Sequence, residues 1–170
     1  MKITIIGQQC AGKTEAANIL CKIIEKKEKL QTKILKFAQP LYEINTILQV
    51  MKHRAFMQEQ SELVKKHFGQ DTFINLFKKN NNDDATECAL INDDCRYTLE
   101  FLWMIKHGWT TVHIDADKFL RKERAKKLGL DFLENHASET ESPSLAKLCQ
   151  WRFTNNGSLY KLSDKLSTIF

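Results

Sequence analysis

The chain has 170 residues, of which 42% are hydrophobic and 28% charged, and its formal net charge is +5. Those proportions predict one soluble domain over residues 1–170 with a sizeable core, and no second independent domain. The apolar runs are strand-sized, which excludes a membrane-spanning helix.

Lys2 to Ile6 is a short β-branched run that ends at Gly7, the pattern of a buried strand. From Lys13 the period becomes helical, with Ala16, Ile19, Leu20, Ile23 and Ile24 on one face. Thr32 to Phe37 is a second strand, ended near Pro40, and Leu41, Ile44, Ile47, Leu48 and Met51 mark a helix. Phe56 to Lys79 reads as two helical pieces broken near Gly69, with Asp71 as cap. Lys78 to Asp84 is a polar loop, and Cys88 to Asn92 is a third strand leading into Asp93 and Asp94. A helix over Leu99 to His107 closes at Gly108, and Thr110 to Ile114 is a fourth strand. Asp117 to Lys127 is a basic helix, His136 to Pro143 a polar loop, and Trp151 to Thr154 a fifth strand. Leu159, Leu162, Leu166 and Ile169 stripe a last helix, which serves either the interior of the fold or a homodimer contact. Strands alternating with helices predict right-handed βαβ units and a parallel sheet.

Met1 to Ile6 is too short for a signal peptide, and the five cysteines are odd in number and scattered. Both points predict a reduced, cytoplasmic protein. No Cys/His cluster has zinc spacing. The basic balance suits a polyphosphate ligand as well as nucleic acid, but no arginine-rich tract or aromatic-interleaved basic stripe points to nucleic acid.

The chemistry concentrates in Gly7-Gln8-Gln9-Cys10-Ala11-Gly12-Lys13-Thr14, directly after one strand and before one helix. This is a phosphate-binding loop. Gly7 and Gly12 let the backbone turn its N–H groups toward a phosphate, and the helix adds the positive end of its dipole. Lys13 is expected to reach the β- and γ-phosphates of ATP, and Thr14 to coordinate Mg2+. Cys10 is either a tolerated small residue or a thiol activated by the loop. Asp93 and Asp94 end a strand where a metal-side carboxylate belongs, and would equally serve as an ordinary turn. Arg96 follows a strand's carboxyl end, where α/β proteins bind ligands, and is suited to gripping a phosphate or to pairing with Glu100. Lys118, Arg121, Lys122 and Arg124 crowd one helix, as in a lid that neutralises a transferring phosphoryl group.

Taken together, these segments resemble the deoxynucleoside monophosphate kinases of bacteriophages and large DNA viruses. The resemblance rests on Lys36-Phe37-Ala38-Gln39-Pro40-Leu41, Phe68-Gly69-Gln70-Asp71-Thr72-Phe73, Asp94-Cys95-Arg96-Tyr97 through Glu100, and the pair Arg121 and Arg124. His136 through Glu141 and Asn155-Asn156-Gly157-Ser158-Leu159 extend it over nearly the whole chain. Gln39, Tyr97 and Ala137 depart from the family's usual Asp, Phe and Pro, and Gln39 bears on base preference.

The resemblance implies a P-loop NTPase fold of nucleoside monophosphate kinase type, with a five-stranded parallel sheet flanked by helices. It also implies ATP-dependent phosphorylation of a deoxynucleoside monophosphate in the host cytoplasm of a virus. Residues 38–84 would form the acceptor-binding helices and 117–141 the lid. Lys13, Arg121 and Arg124 would be catalytic. Residues Gly7 through Thr14, with Asn156 and Gly157, would bind ATP. Phe37, Ala38, Arg54, Phe73, Asp94, Arg96, Glu100 and Glu139 would bind the acceptor, with Ser138 close by. Mg2+ would be held by Thr14 and, through water, by Asp94 in preference to Asp93. Related kinases of dephospho-coenzyme A or phosphomevalonate type, and a nucleotide-dependent binding module, are the alternatives.

Overall fold

A computed structural model describes the chain except residues 51–53, 82–87 and 133–136, and except the side chains of Arg54, Ala137 and Ser138. Five strands form one sheet: β1 (Lys2–Ile6), β2 (Gln31–Leu35), β3 (Cys88–Asn92), β4 (Thr110–Asp115) and β5 (Trp151–Thr154). Their order is β2-β3-β1-β4-β5, and every neighbouring pair is parallel. The register sets Ile3 beside Ile91 on one side and Thr110 on the other. With all strands parallel, their carboxyl ends share one edge, where α/β folds place their ligands.

Nine α-helices are described: α1 (Lys13–Lys27), α2 (Gln39–Ile47), α3 (Arg54–Phe68), α4 (Thr72–Asn80), α5 (Thr98–Lys106), α6 (Lys118–Lys127), α7 (Ala137–Thr140), α8 (Ser142–Leu145) and α9 (Leu159–Leu166). The alternation within β1 explains the two-sided core. Ile3 and Ile5 face α1 and α9, packing with Ala16, Leu20, Leu162 and Leu166. Ile6 faces the opposite layer, where Phe37, Phe77, Phe101, Met104 and Trp109 gather. Burying each such side chain stabilises the fold by roughly 1.5–3 kcal/mol. Both sheet faces are therefore covered, as the apolar strand composition requires.

Several expectations change in detail. β2 stops at Leu35, so Phe37 lies beyond it, with its N–H held by Asp94. Asp71 occupies the N-cap position of α4, but its carboxylate accepts from the Asn75 side chain at 3.0 Å rather than from the backbone. Of residues 136–143, read as loop from their polarity, Ala137–Thr140 form α7 and Ser142 and Pro143 begin α8. Their helicity comes from tertiary anchoring through Glu139 and Leu145, not from an apolar stripe that periodicity could reveal. The last helix packs within the fold against α1, with Leu162 and Leu166 buried. Of the expected 78–84 loop, Lys78 to Asn80 instead continue α4, and residues 82–84 lie outside the described residues. Among those described, no helix is long and apolar enough to cross a membrane.

Candidate active site

The phosphate loop leaves the end of β1 and is shaped by two glycines. Gly7 has φ 153°, and a Cβ there would lie 2.2 Å from the Ile114 carbonyl oxygen of β4. Gly12 has φ 101°, and its Cβ would lie 2.3 Å from Asn155 Nδ2. Neither backbone position tolerates a side chain. Lys13 is buried, and its Nζ donates to the carbonyls of Gly7 at 2.7 Å and Gln8 at 2.9 Å. The ammonium is thereby held across the loop rather than out in solvent.

The loop's outward carbonyls are gripped from α6 and the end of β5. Arg121 donates through Nε to Ala116 O at 3.1 Å and through a terminal nitrogen to Gln9 O at 3.5 Å. Arg124 donates to Cys10 O at 3.2 Å and to Asn155 O at 2.8 Å. Asn155 Nδ2 donates to Ala11 O at 2.9 Å. Because a peptide unit is planar and trans, turning the Cys10 and Ala11 carbonyls outward turns the N–H groups of Ala11 and Gly12 the other way. The two arginines thus brace the loop. Both side chains, expected to face a transferring phosphoryl group, are here turned to backbone carbonyls. Arg121 is 7% exposed, whereas Arg124 also borders the cavity that opens over Gly12, Lys13 and Thr14. Cys10 sits at φ 59°, in the left-handed region, within the same braced turn.

Gly12, Lys13 and Thr14 border a cavity of about 1520 Å³, including its open mouth, together with Arg124, Asn155 and Gly157. Asn156 is turned elsewhere, its side-chain oxygen accepting from Asp117 N at 2.9 Å. The side chains of Gln8 and Gln9 reach the 131–139 segment, donating to Glu139 O at 3.0 Å and Asp131 O at 2.6 Å.

The structure brings Asp93, not Asp94, beside Thr14. Thr14 Oγ1 donates to Asp93 Oδ2 at 2.7 Å, and Asp93 Oδ1 forms an ion pair with Lys36. Burial alone would raise the Asp93 carboxyl, but Lys36 and Thr14 outweigh it and hold it below the usual range. Asp94 is committed to the backbone instead. It accepts from Phe37 N at 3.0 Å, Ala38 N at 2.9 Å and Asn92 Nδ2 at 2.7 Å. Burial pushes its carboxyl up, the Ala38 N–H opposes this, and the neighbouring Asp93 charge adds to it. Adjacent residues at a strand end point to opposite sides, so one reaches the phosphate loop and the other the start of α2. Among the described residues, no three His, Cys, Asp or Glu side chains cluster to hold a metal alone. A hydroxyl and one carboxylate nonetheless suit Mg2+, which takes few protein oxygens and completes its shell with water and phosphate.

A second cavity, of about 610 Å³ including its mouth, opens between β2's end, α2, α3 and α4. Phe37, Ala38, Phe73, Asp94, Arg96 and Glu100 all line it. Leu41, Tyr42, Met57, Gln58, Ser61 and Tyr97 complete the lining; Leu41 and Tyr97 stand in the sequence motifs, but none of the six was named as a binding residue. The two cavities share Tyr42, Asp94 and Arg96, which mark the seam between them. Arg54 begins α3, and its side chain, like that of Ser138, lies outside the described residues. Gln39 is exposed, donates to Glu43 at 3.1 Å and does not border this cavity.

Arg96 is held at the seam by Glu139, its terminal nitrogen 3.2 Å from Glu139 Oε1. Glu139 is 2% exposed, and its other oxygen accepts from Gln9 N at 2.6 Å. One buried carboxylate therefore ties the phosphate loop to the cavity arginine. Glu100 accepts from the N–H groups of Arg96 and Tyr97, at 2.9 and 3.2 Å, as the cap of α5. Burial pushes its carboxyl up to about 7. Burial likewise moves the Tyr97 hydroxyl up to about 12 and pulls the Lys65 ammonium, which lies over the Tyr97 ring, downward.

Lys36 is the site residue with the weakest sequence signal. It stands in a quoted motif, but nothing local indicates its partner, which is 57 positions away.

No protein-family model matches the chain, and no curated protein matches it by sequence. Solved structures do match. Shikimate kinase from Aquifex aeolicus superposes with a TM-score of 0.56 at 12% identity, covering 99% of this chain and 95% of that one. Shikimate kinase from Acinetobacter baumannii, in complex with shikimate, gives 0.56 at 14% identity over 99% and 91%. A Thermus thermophilus protein gives 0.56 at 16% identity over 99% and 95%. At such identities the likeness establishes an α/β fold of P-loop kinase type, with a five-stranded parallel sheet flanked by helices.

Proposed function

We propose that this chain transfers the γ-phosphoryl group of ATP to a small monophosphate, and that the monophosphate is a deoxynucleoside monophosphate. The observation that carries the reading is the seam, where a phosphate-loop cavity opens onto an aromatic-walled cavity with Arg96 between them. Phe37 and Phe73 offer apolar faces to a flat base, for which aromatic stacking contributes about 1–3 kcal/mol. Arg96, fixed by Glu139, supplies a positioned positive charge for the acceptor's phosphate.

Lys13 and the N–H groups of the phosphate loop hold the donor phosphates, and the start of α1 adds its dipole. Thr14 and Asp93 are the residues that would hold Mg2+, which when bound neutralises charge on the phosphate oxygens. The acceptor phosphate is already anionic near neutral pH, so the reaction needs no strong general base. Positioning and charge neutralisation carry the in-line displacement. Arg124 and Lys127, which border the donor cavity, are the cations of α6 available for this role.

A second reading follows from the structural neighbours, two of which are shikimate kinases: a small-molecule kinase that phosphorylates a hydroxyl group. Coupled ADP-release assays with each common deoxynucleoside monophosphate, with shikimate and without acceptor separate the readings. Acceptor-dependent ADP release with at least one monophosphate is expected. Release with shikimate alone favours the second reading, and acceptor-independent hydrolysis alone sinks both.

A further inference from the structure

Lys36 follows the last residue of β2, at the same sheet edge as the phosphate loop. Its ammonium pairs with Asp93, whose side chain is 1% exposed, while its own side chain is 27% exposed. It lies 5.8 Å from the centroid of the Tyr42 ring. Lys36 borders the donor cavity with Lys13, Thr14 and Arg96, and Tyr42 borders both cavities. A lysine cation thus sits on the carboxylate that faces Thr14, beside Tyr42, which marks the seam.

Two cations cannot share one carboxylate without mutual repulsion. From this geometry we infer that Lys36 and the nucleotide's divalent metal compete for Asp93, and that the displaced ammonium moves to the phosphate anion at the seam. The inference rests on reading the site as one for phosphoryl transfer. The exchange makes Lys36 a binding residue of the acceptor side that is released by loading of the donor side. Metal–nucleotide and acceptor binding then reinforce each other, because each ligand removes a charge mismatch created by the other. The lysine's four-carbon stem and point charge suit such a move better than a planar guanidinium.

The test is calorimetric and needs no turnover. ADP affinity is measured with and without Mn2+, for the full chain and for Lys36→Met, with Lys33→Met on the exposed part of β2 as a charge control. The expected result is that Mn2+ strengthens ADP binding about tenfold more in Lys36→Met than in the parent, the scale of one charge-assisted hydrogen bond. Lys33→Met should match the parent. In the parent itself, inorganic phosphate should bind more tightly with Mn2+–ADP present than with ADP alone, and Lys36→Met should lose that gain. An unchanged metal increment in a folded Lys36→Met overturns the inference. So does a parent whose phosphate affinity ignores Mn2+, a measurement that requires no variant. Failure of every monophosphate in the turnover assay would leave both results standing, so the two ideas fail separately.

Discussion

The neighbouring carboxylates Asp93 and Asp94 make opposite demands, and replacing each in turn separates them. Asp94→Ala removes the acceptor of three hydrogen bonds, from Phe37 N, Ala38 N and Asn92 Nδ2. Each orphaned buried donor costs about 1–3 kcal/mol, offset in part by relief of a carboxylate that burial already disfavours. The net expectation is a loss of about 2–4 kcal/mol, or roughly 5–15 °C in Tm for a domain of this size. Asp93→Asn keeps an oxygen for Thr14 but loses the charge that pairs with Lys36. Its stability should fall by about 1 kcal/mol. The assay is thermal melting with ADP alone and with ADP plus Mg2+. Asp94→Ala should melt early yet retain the full Mg2+-dependent increment, and Asp93→Asn should melt near the parent and lose it. The opposite pattern, with the increment lost in Asp94→Ala and kept in Asp93→Asn, refutes the assignment of Asp93 as the metal-side carboxylate.

Gly7→Ala should lose at least about 2 kcal/mol of stability together with nucleotide binding, since its Cβ would meet a backbone carbonyl of the central sheet; a melt and ADP titration matching the parent would contradict this. Glu100 carries a pH signature. Its folded carboxyl titrates near 7, above its unfolded range, so the folded state binds the extra proton between about pH 4.5 and 7. Stability should therefore fall across that window as pH rises, by up to about 3 kcal/mol from this group. Glu100→Gln keeps an acceptor for the Arg96 and Tyr97 N–H groups, and should flatten the fall and exceed the parent above pH 7. Parallel stability curves would rule that out. Glu139→Gln keeps an oxygen for Gln9 N but sets an amide NH2 against Arg96. Steady-state kinetics should show a rise of about tenfold in the acceptor's KM with ATP's little changed, the loss of one charge-assisted contact; equal effects on both substrates would assign Glu139 to the loop alone.

What the sequence determined is what a contiguous stretch of backbone can encode. Gly7 through Thr14 works through local turns, its own N–H groups and the helix that follows, so its spacing carries its geometry. The parallel sheet was equally legible, because its central strands β1, β3 and β4, buried on both faces, are written as largely apolar runs between helical periods. The second cavity was legible in part, since Phe37, Phe73, Arg96 and Glu100 stand in motifs that the fold collects there. Tertiary structure alone set Asp93 beside Thr14 and Asp94 against the backbone of Phe37 and Ala38, because adjacent strand-end residues diverge and their spacing is the same for either arrangement. It also turned Arg121 and Arg124 onto the loop's carbonyls and drew Glu139 from a polar segment to Gln9, 130 positions away. The phosphate loop is a local object, whereas the charges that arm and brace it are paired across the sheet, where no periodicity or spacing can record the partner.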